Sequence, residues 1–338
     1  MTRMYYESYE RRGRRERGHR RGGGGCLSWL MGRLFRLLLL ALVLAILAAA
    51  ALYALPASLL NVEPVGSNLS PTDGLPGKRV NILLLGLDAL DGSGQRSDAM
   101  IVASIGYDGV RLTSLMRDTV VDIPGHGRKK LNAAYSLGGA ELAMRTINQT
   151  FQLNITNYVA ADFRALVDIV DALGGVEVEV DQSELKYLNS YAGHTFRILQ
   201  SLDADRYAHY ADSEPIYTTG TMRLNGLFAT AYCRIRYSDS DYVRTSRQRE
   251  LLSAMISRFR GHWWDPRIPV RLFLALRNSV ETNLSMPELI SLGEKALISG
   301  KVDTLRLPLD EYLYDNHSTI EITDLDATVQ ALHTFIYE

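Results

Sequence analysis

From Leu37 to Leu60 the chain reads LLLLALVLAILAAAALYALPASLL, with no ionisable side chain except that of Tyr53. A helix needs about 20 apolar residues to cross a hydrocarbon core. This run supplies them, so the sequence predicts one transmembrane helix over 37–60. Arg33 and Arg36 stand at its start, behind an Arg-rich head. The positive-inside rule then places the N-terminus in the cytoplasm and residues 63–338 outside. A cleaved signal peptide is the alternative, given the small residues around Ala54–Ala57. The apolar stretch of a signal peptide, however, runs to about 7–15 residues, and this one is longer.

The formal net charge of −1 conceals an asymmetry with the same origin. Residues 1–36 hold ten Arg and three Glu, net +7. Beyond Leu60 stand 27 of the 37 basic and 35 of the 38 acidic residues, net −8. The head, rich in Arg and Gly with nothing to pack, reads as a disordered cytoplasmic segment that orients the chain and is drawn to anionic lipid. Arg clusters also neutralise nucleic-acid phosphates, but no folded reading module accompanies this one, so nucleic acid is not an expected partner. The cysteines, Cys26 and Cys233, fall on opposite sides of the expected membrane, which leaves no disulfide within the chain.

Residues 61–78, with three Pro and three Gly, read as a linker, and residues 79–338 as an extracytoplasmic catalytic domain. VNILLLGL (80–87) and AMIVASIG (99–106) are unbroken apolar runs, as in strands covered on both faces. YDG (107–109) marks a turn into a third strand over 110–116. The spacing predicts helices over 140–151, 163–175, 248–264, 271–280, 287–299 and 323–338, and strands over 154–162, 176–180 and 302–309. Residues 183–220 show no clear period and read as a long functional loop. The expected fold class is α/β, a mixed central β-sheet flanked by helices, preceded by one transmembrane helix.

The chemistry gathers in the loops. Asp88 closes the first strand and Asp98 opens the second, ten residues on, so the two carboxylates can meet at one end of adjacent strands. Two carboxylates with water and a substrate phosphate suit Mg²⁺, and Arg96 would reach the phosphate. The bland alternative is a solvated turn with a salt bridge. Arg117 and Asp118 then end an apolar strand, with Lys129, Lys130, Asn132 and Tyr135 following. CRIRY (233–237) reads as a strand that puts Arg234 and Arg236 on one face. Paired like charges cost free energy unless an anion lies between them, and guanidiniums grip diphosphate oxygens well. SDSDYVRTSRQRE (238–250) adds Asp239, Asp241, Arg244, Arg247, Gln248 and Arg249, as a site or as a charged helix start.

As a set, NILLLGLD…RSDAM, SLMRDTVVDIPGHGRKKLNAAYSLGG, FRALVDIVDALGGVEVEV and CRIRYSDSDYVRTSRQ resemble the LytR-CpsA-Psr family of bacterial cell-envelope proteins, from about Arg79 to Arg260. The resemblance implies a phosphotransferase of the cell membrane, single-pass, working outside. It would move a glycopolymer from a polyprenyl-diphosphate carrier onto peptidoglycan through a phosphodiester. Position by position, it makes Asp88 and Asp98 ligands of Mg²⁺, with Mn²⁺ as the alternative ion. It assigns Arg96, Arg117, Arg234 and Arg236 to the diphosphate, and Arg244 and Gln248 to the rest of the head group. Asp241 falls in the family's Asp-x-x-Arg segment, as a base or as the residue that orients Arg244. Arg117, Asp241 and Arg244 are thus the expected catalytic residues. The apolar faces of the helices over 140–151 and 163–173 are candidates to line a lipid slot, or are plain core. Met116, Ala99 and Cys233 depart from the family's usual Pro, Thr and apolar residue without touching a charged group. The same pocket would serve a polyprenyl-diphosphate phosphatase with water as acceptor. A non-catalytic membrane-bound regulator is the alternative from another class, although it has no need of paired Asp beside paired Arg.

Overall fold

Strands rich in Leu, Ile and Val on both faces need cover on both faces, and the computed structural model supplies it. The structure describes residues 61–62, 64–77, 79–88, 96–235, 241–262, 264–265, 267–276, 280–298 and 301–338. The 37–60 run, the Arg-rich head and Arg236 lie outside these residues. Among the described residues, no helix is long and apolar enough to cross a membrane.

The first half contains β1 (Asn61–Val62), β2 (Val80–Asp88), β3 (Arg96–Gly106), β4 (Gly109–Leu115), β5 (Val120–Ile123), β6 (Gly127–Lys130), α1 (Ala133–Phe151), β7 (Asn157–Asp162), α2 (Phe163–Ala172) and β8 (Val176–Val180). The second contains α3 (Gln182–Leu202), α4 (Ala204–Tyr207), β9 (Gly220–Leu224), α5 (Gly226–Arg234), α6 (Asp241–His262), α7 (Arg267–Leu276), β10 (Val280–Thr282), α8 (Met286–Ile298), β11 (Val302–Leu307), β12 (Leu313–Asp315), β13 (Ile320–Ile322) and α9 (Leu325–Tyr337).

Seven strands form one mixed sheet in the order β1-β10-β7-β2-β3-β4-β11. The β2–β3 and β3–β4 pairs are antiparallel, whereas β7 runs parallel to β2 and β11 parallel to β4. Leu83, Leu85 and Leu87 of β2 pack with Met100 and Val102 of β3 against α1 (Ala143, Met144, Ile147) and α9 (Leu332, Ile336). On the opposite face Ile101, Ala103 and Leu112 meet Leu252 and Ile256 of α6 and Ala296 of α8. At about 1.5–3 kcal/mol per fully buried large aliphatic side chain, these two layers dominate the stability of the sheet. The mixed α/β reading of the sequence is therefore correct.

Several local expectations change. The helix expected over 140–151 begins at Ala133 and bends at Gly138–Gly139, where φ of Gly139 is +63° and favours glycine. It packs under the sheet face away from the cavity described below, so it is core rather than a lipid wall. The described part of CRIRY, residues 233–235, is not a strand: residues 226–234 form α5, with the Asn225 side chain accepting from the Phe228 N–H at 3.0 Å as N-cap. Residues 226–233 are all buried, and an element buried all round shows no amphipathic period to read. The expected loop at 183–220 opens with the 21 residues of α3. Asp181 accepts from the Glu184 N–H at 2.8 Å and the Glu184 carboxylate accepts from the Asp181 N–H at 2.9 Å, a reciprocal capping box. Part of the stretch read as a linker is packed: β1 pairs with β10, and Leu69 is buried with its carbonyl bonded by Asn148 Nδ2 at 2.9 Å.

Candidate active site

The site starts from small residues. Ala161 of β7, Gly86 of β2 and Ala99 of β3 stand side by side in one cross-strand row, with Val159, Leu84 and Ile101 in another. A Cβ added to Gly86 would meet the Ala99 Cβ at 3.0 Å, so the close approach of these strands keeps the side chains of this row small. The two rows form the floor of a cavity of about 520 Å³. Phe163, Leu166 and Ile169 of α2, Tyr191 and His194 of α3, Thr230 and Cys233 of α5, and Leu251, Leu252 and Met255 of α6 make its walls.

One end of this apolar chamber is charged. Between Gly86 and Leu87 the β2–β3 register slips: Gly86 pairs with Ala99 but Leu87 with Ser97, leaving Asp98 as the extra residue of a β-bulge. A bulge re-aims a side chain, and Asp98 joins its neighbour Ala99 in lining the cavity. Arg117 follows the end of β4 and donates from Nη1 to Asp98 Oδ1 at 2.6 Å. Its Nε lies 3.4 Å from Asp118, which also binds Lys130 Nζ at 2.8 Å, so charges of alternating sign run along the rim. Asp162, the N-cap of α2, sits at the same end and is ion-paired to Arg164.

Arg234 ends α5, where its guanidinium lies over the Phe163 ring at 5.5 Å and donates to Thr195 Oγ1 at 3.0 Å. Arg244 and Gln248, one turn apart on α6, line the cavity near that rim, with Leu251, Leu252 and Met255 lining it farther along the helix. Arg247 has another partner. Both it and Glu184 are buried and joined at 2.8 Å, and Arg247 Nη1 donates to the Ile235 carbonyl at 3.1 Å. Burial, followed by the charges of Glu184 and Glu250, raises the Tyr232 pKa, so its hydroxyl stays protonated and donates to Glu250 at 2.9 Å. Burial pushes the Cys233 thiol up to about 12, which removes it as a nucleophile and leaves it an apolar wall residue.

Of the residues singled out in the sequence, Asp98, Arg117, Arg234, Arg244 and Gln248 come together around one cavity. Asp88 and Arg96 pair across the ends of β2 and β3, at the same end of the sheet as Asp98. Asp241 is the first residue of α6, three positions ahead of Arg244. The side chains of these last three lie outside the described residues, as does Arg236 entirely. The α3 contributions (Tyr191, His194, Thr195) and Asp162 were missed. The signal for α3 was present: D-x-x-E at 181–184, then Leu188, Ala192, Thr195 and Leu199 at helical spacing.

The fold and the site define an α/β protein whose pocket is an apolar chamber with guanidiniums and carboxylates at one end. The chain belongs to the LytR_cpsA_psr family, whose model matches residues 61–334 and thus includes the C-terminal helices. The polyisoprenyl-teichoic acid–peptidoglycan teichoic acid transferase TagV of Bacillus subtilis (strain 168) is 31% identical over 254 residues, 71% of this chain and 60% of the relative. TagT of the same strain, a transferase of the same description, is 30% identical over 245 residues, 70% of each chain. A solved structure of TagT bound to LIIa-WTA superposes with a TM-score of 0.59 at 26% identity, covering 77% of this chain and 90% of that one. The chain spans about three fifths of the length of TagV.

Proposed function

We propose that this protein is a membrane-anchored phosphotransferase that takes a glycopolymer from a polyprenyl-diphosphate carrier and attaches it to peptidoglycan through a phosphodiester. The observation that carries the reading is the polarity of the cavity: aliphatic along the sheet, with Arg234, Arg244 and the Asp98–Arg117 pair at the rim. That gradient matches a prenyl tail with a diphosphate head, and the activities of TagV and TagT agree with it. The anchor in this reading is the 37–60 run, which places residues 63–338 outside the cell membrane.

The reaction is a displacement at phosphorus. A hydroxyl oxygen of the acceptor bonds to the polymer-bearing phosphorus as the bond from that phosphorus to the bridging oxygen breaks. The polyprenyl phosphate leaves with the electron pair. Such transfers ask the protein mainly for positioning and charge neutralisation. Arg117, held by Asp98, and Arg234, held by Thr195 and Phe163, are pre-oriented for this, with Arg96 and Arg236 completing the diphosphate grip. Arg244 and Gln248 bind the rest of the head group. Asp241, at the start of α6, takes the hydroxyl proton or orients Arg244.

Asp98, a hard oxygen donor on the cavity lining at the sheet end where Asp88 closes β2, fits the one or two carboxylates that Mg²⁺ asks of a protein. Asp88 and Asp98 would hold the ion, Mg²⁺ or Mn²⁺, which would supply further neutralisation of diphosphate charge.

The test is mass analysis of products after the full chain in micelles receives Mg²⁺, a prenyl-diphosphate sugar and a peptidoglycan oligomer. Sugar appearing on peptidoglycan together with phosphate is the expected result. Release of sugar phosphate to water alone would overturn the transferase reading. The Asp98→Ala variant should lose on the order of 10²-fold in turnover, the cost of removing one preorganised electrostatic group.

A further inference from the structure

Helix α7 has two apolar faces, and only one of them is buried. Ile268, Leu272 and Ala275 turn inward, Ile268 and Leu272 packing into the cluster that holds the cavity wall α2. Outward stand Val270 and Leu274, 48% and 47% exposed, with Arg267 and Arg271 on the same side. At 3.6 residues per turn, 267, 270, 271 and 274 fall within about 100° of the helix circumference. Just ahead of the helix, Trp264 is 69% exposed, and Asp265 pairs with Arg267 at 2.7 Å. Arg and aliphatic side chains on one helix face, with an exposed Trp just ahead of the helix, are the composition of a segment lying at the level of lipid head groups.

Register says which surface this face meets. The 37–60 run ends one residue before Asn61, and Asn61 pairs with Glu281 of β10, the strand that follows α7. Val280 in turn pairs with Ala161, the small residue beside Gly86 in the cavity floor, one position from Asp162. The exit of the chain from the expected anchor, the end of α7 and the charged rim of the cavity therefore share one end of the sheet.

We propose that the outer face of α7, with Trp264, rests on an anionic lipid bilayer and holds the cavity rim at head-group depth. A prenyl-diphosphate carrier then passes into the cavity without its tail crossing water. The placement rests in part on the 37–60 anchor reading, and the test separates the two.

Nitroxide labels are placed one at a time on the full chain carrying Cys26→Ser, reconstituted in phosphatidylglycerol vesicles. The positions are Leu274→Cys, Leu44→Cys in the apolar run, and Glu177→Cys on the exposed side of β8. Power saturation then compares access to oxygen, which partitions into lipid, with access to a water-soluble nickel chelate. The label at 274 is expected to favour oxygen severalfold over the one at 177, and Arg267→Glu with Arg271→Glu should abolish that preference. A label at 274 as wet as that at 177, with the label at 44 deep in lipid, would sink the docking proposal and leave the anchor standing. Wet labels at 274 and 44 together would remove both. Shielding at 274 from both reagents would mean that protein covers this face, and would overturn the proposal too.

Discussion

Arg244 and Arg247 lie three positions apart on α6 and both are buried, yet their surroundings give them different work. Arg244 lines the cavity, whereas Arg247 ties α6 to Glu184 at the start of α3 and to the Ile235 carbonyl after α5. In the sequence they are two arginines of one charged segment. Removing one member of a buried ion pair leaves an uncompensated charge and costs about 3–5 kcal/mol. Arg247→Met should therefore lower the melting temperature by roughly 6–20 °C, at about 2–4 °C per kcal/mol for a domain of this size. Adding Glu184→Gln, which removes the charge but keeps an acceptor for the Asp181 N–H, should restore most of the loss. Circular dichroism melts decide the matter, and a double variant no more stable than the single would show that the pair is not the source.

Elements decide how the site is held. The capping box of α3 positions the helix that presents Tyr191, His194 and Thr195, so Asp181→Ala should cost about 0.5–2 kcal/mol. The Ser183 hydroxyl, then the Glu184 N–H, hold the Asp181 pKa below its usual 3.8. A carboxyl with a lowered folded pKa stabilises the fold above its unfolded value and loses that contribution as pH falls through the folded one. The melting difference between wild type and Asp181→Ala should thus be constant above about pH 5 and close as pH drops below 3.8. A gap that persists at pH 2 would contradict the cap.

The floor of the cavity depends on Gly86 in the same local way. Gly86→Val forces atoms against Ala99 and should cost about 1–3 kcal/mol by overpacking. Its diagnostic effect is on binding: affinity for a long prenyl diphosphate should fall by more than affinity for a short one. Equal losses would place the tail elsewhere. α5 carries a caution at this scale, since a three-residue alternation such as Arg-Ile-Arg fits a strand face and the end of a helix equally well.

At the scale of the whole molecule, the proposed function gives the Arg-rich head of the sequence and the catalytic domain separate tasks. Deleting residues 1–36 should leave transfer by the chain in micelles unchanged, measured as product per minute. A loss would favour a regulatory role for the head. What the sequence determined alone was whatever is local or periodic. The two-faced strands β2 and β3 and the Tyr107–Asp108 turn are short-range patterns, which burial and turn chemistry impose directly. Three things only the tertiary structure decided: that α1 lies under the far face of the sheet, that α3 closes the cavity, and that Arg247 is structural while Arg244 faces the cavity. Each depends on which distant segments come into contact, and the free energy of a buried charge or an apolar face is set by that partner rather than by its neighbours in the chain.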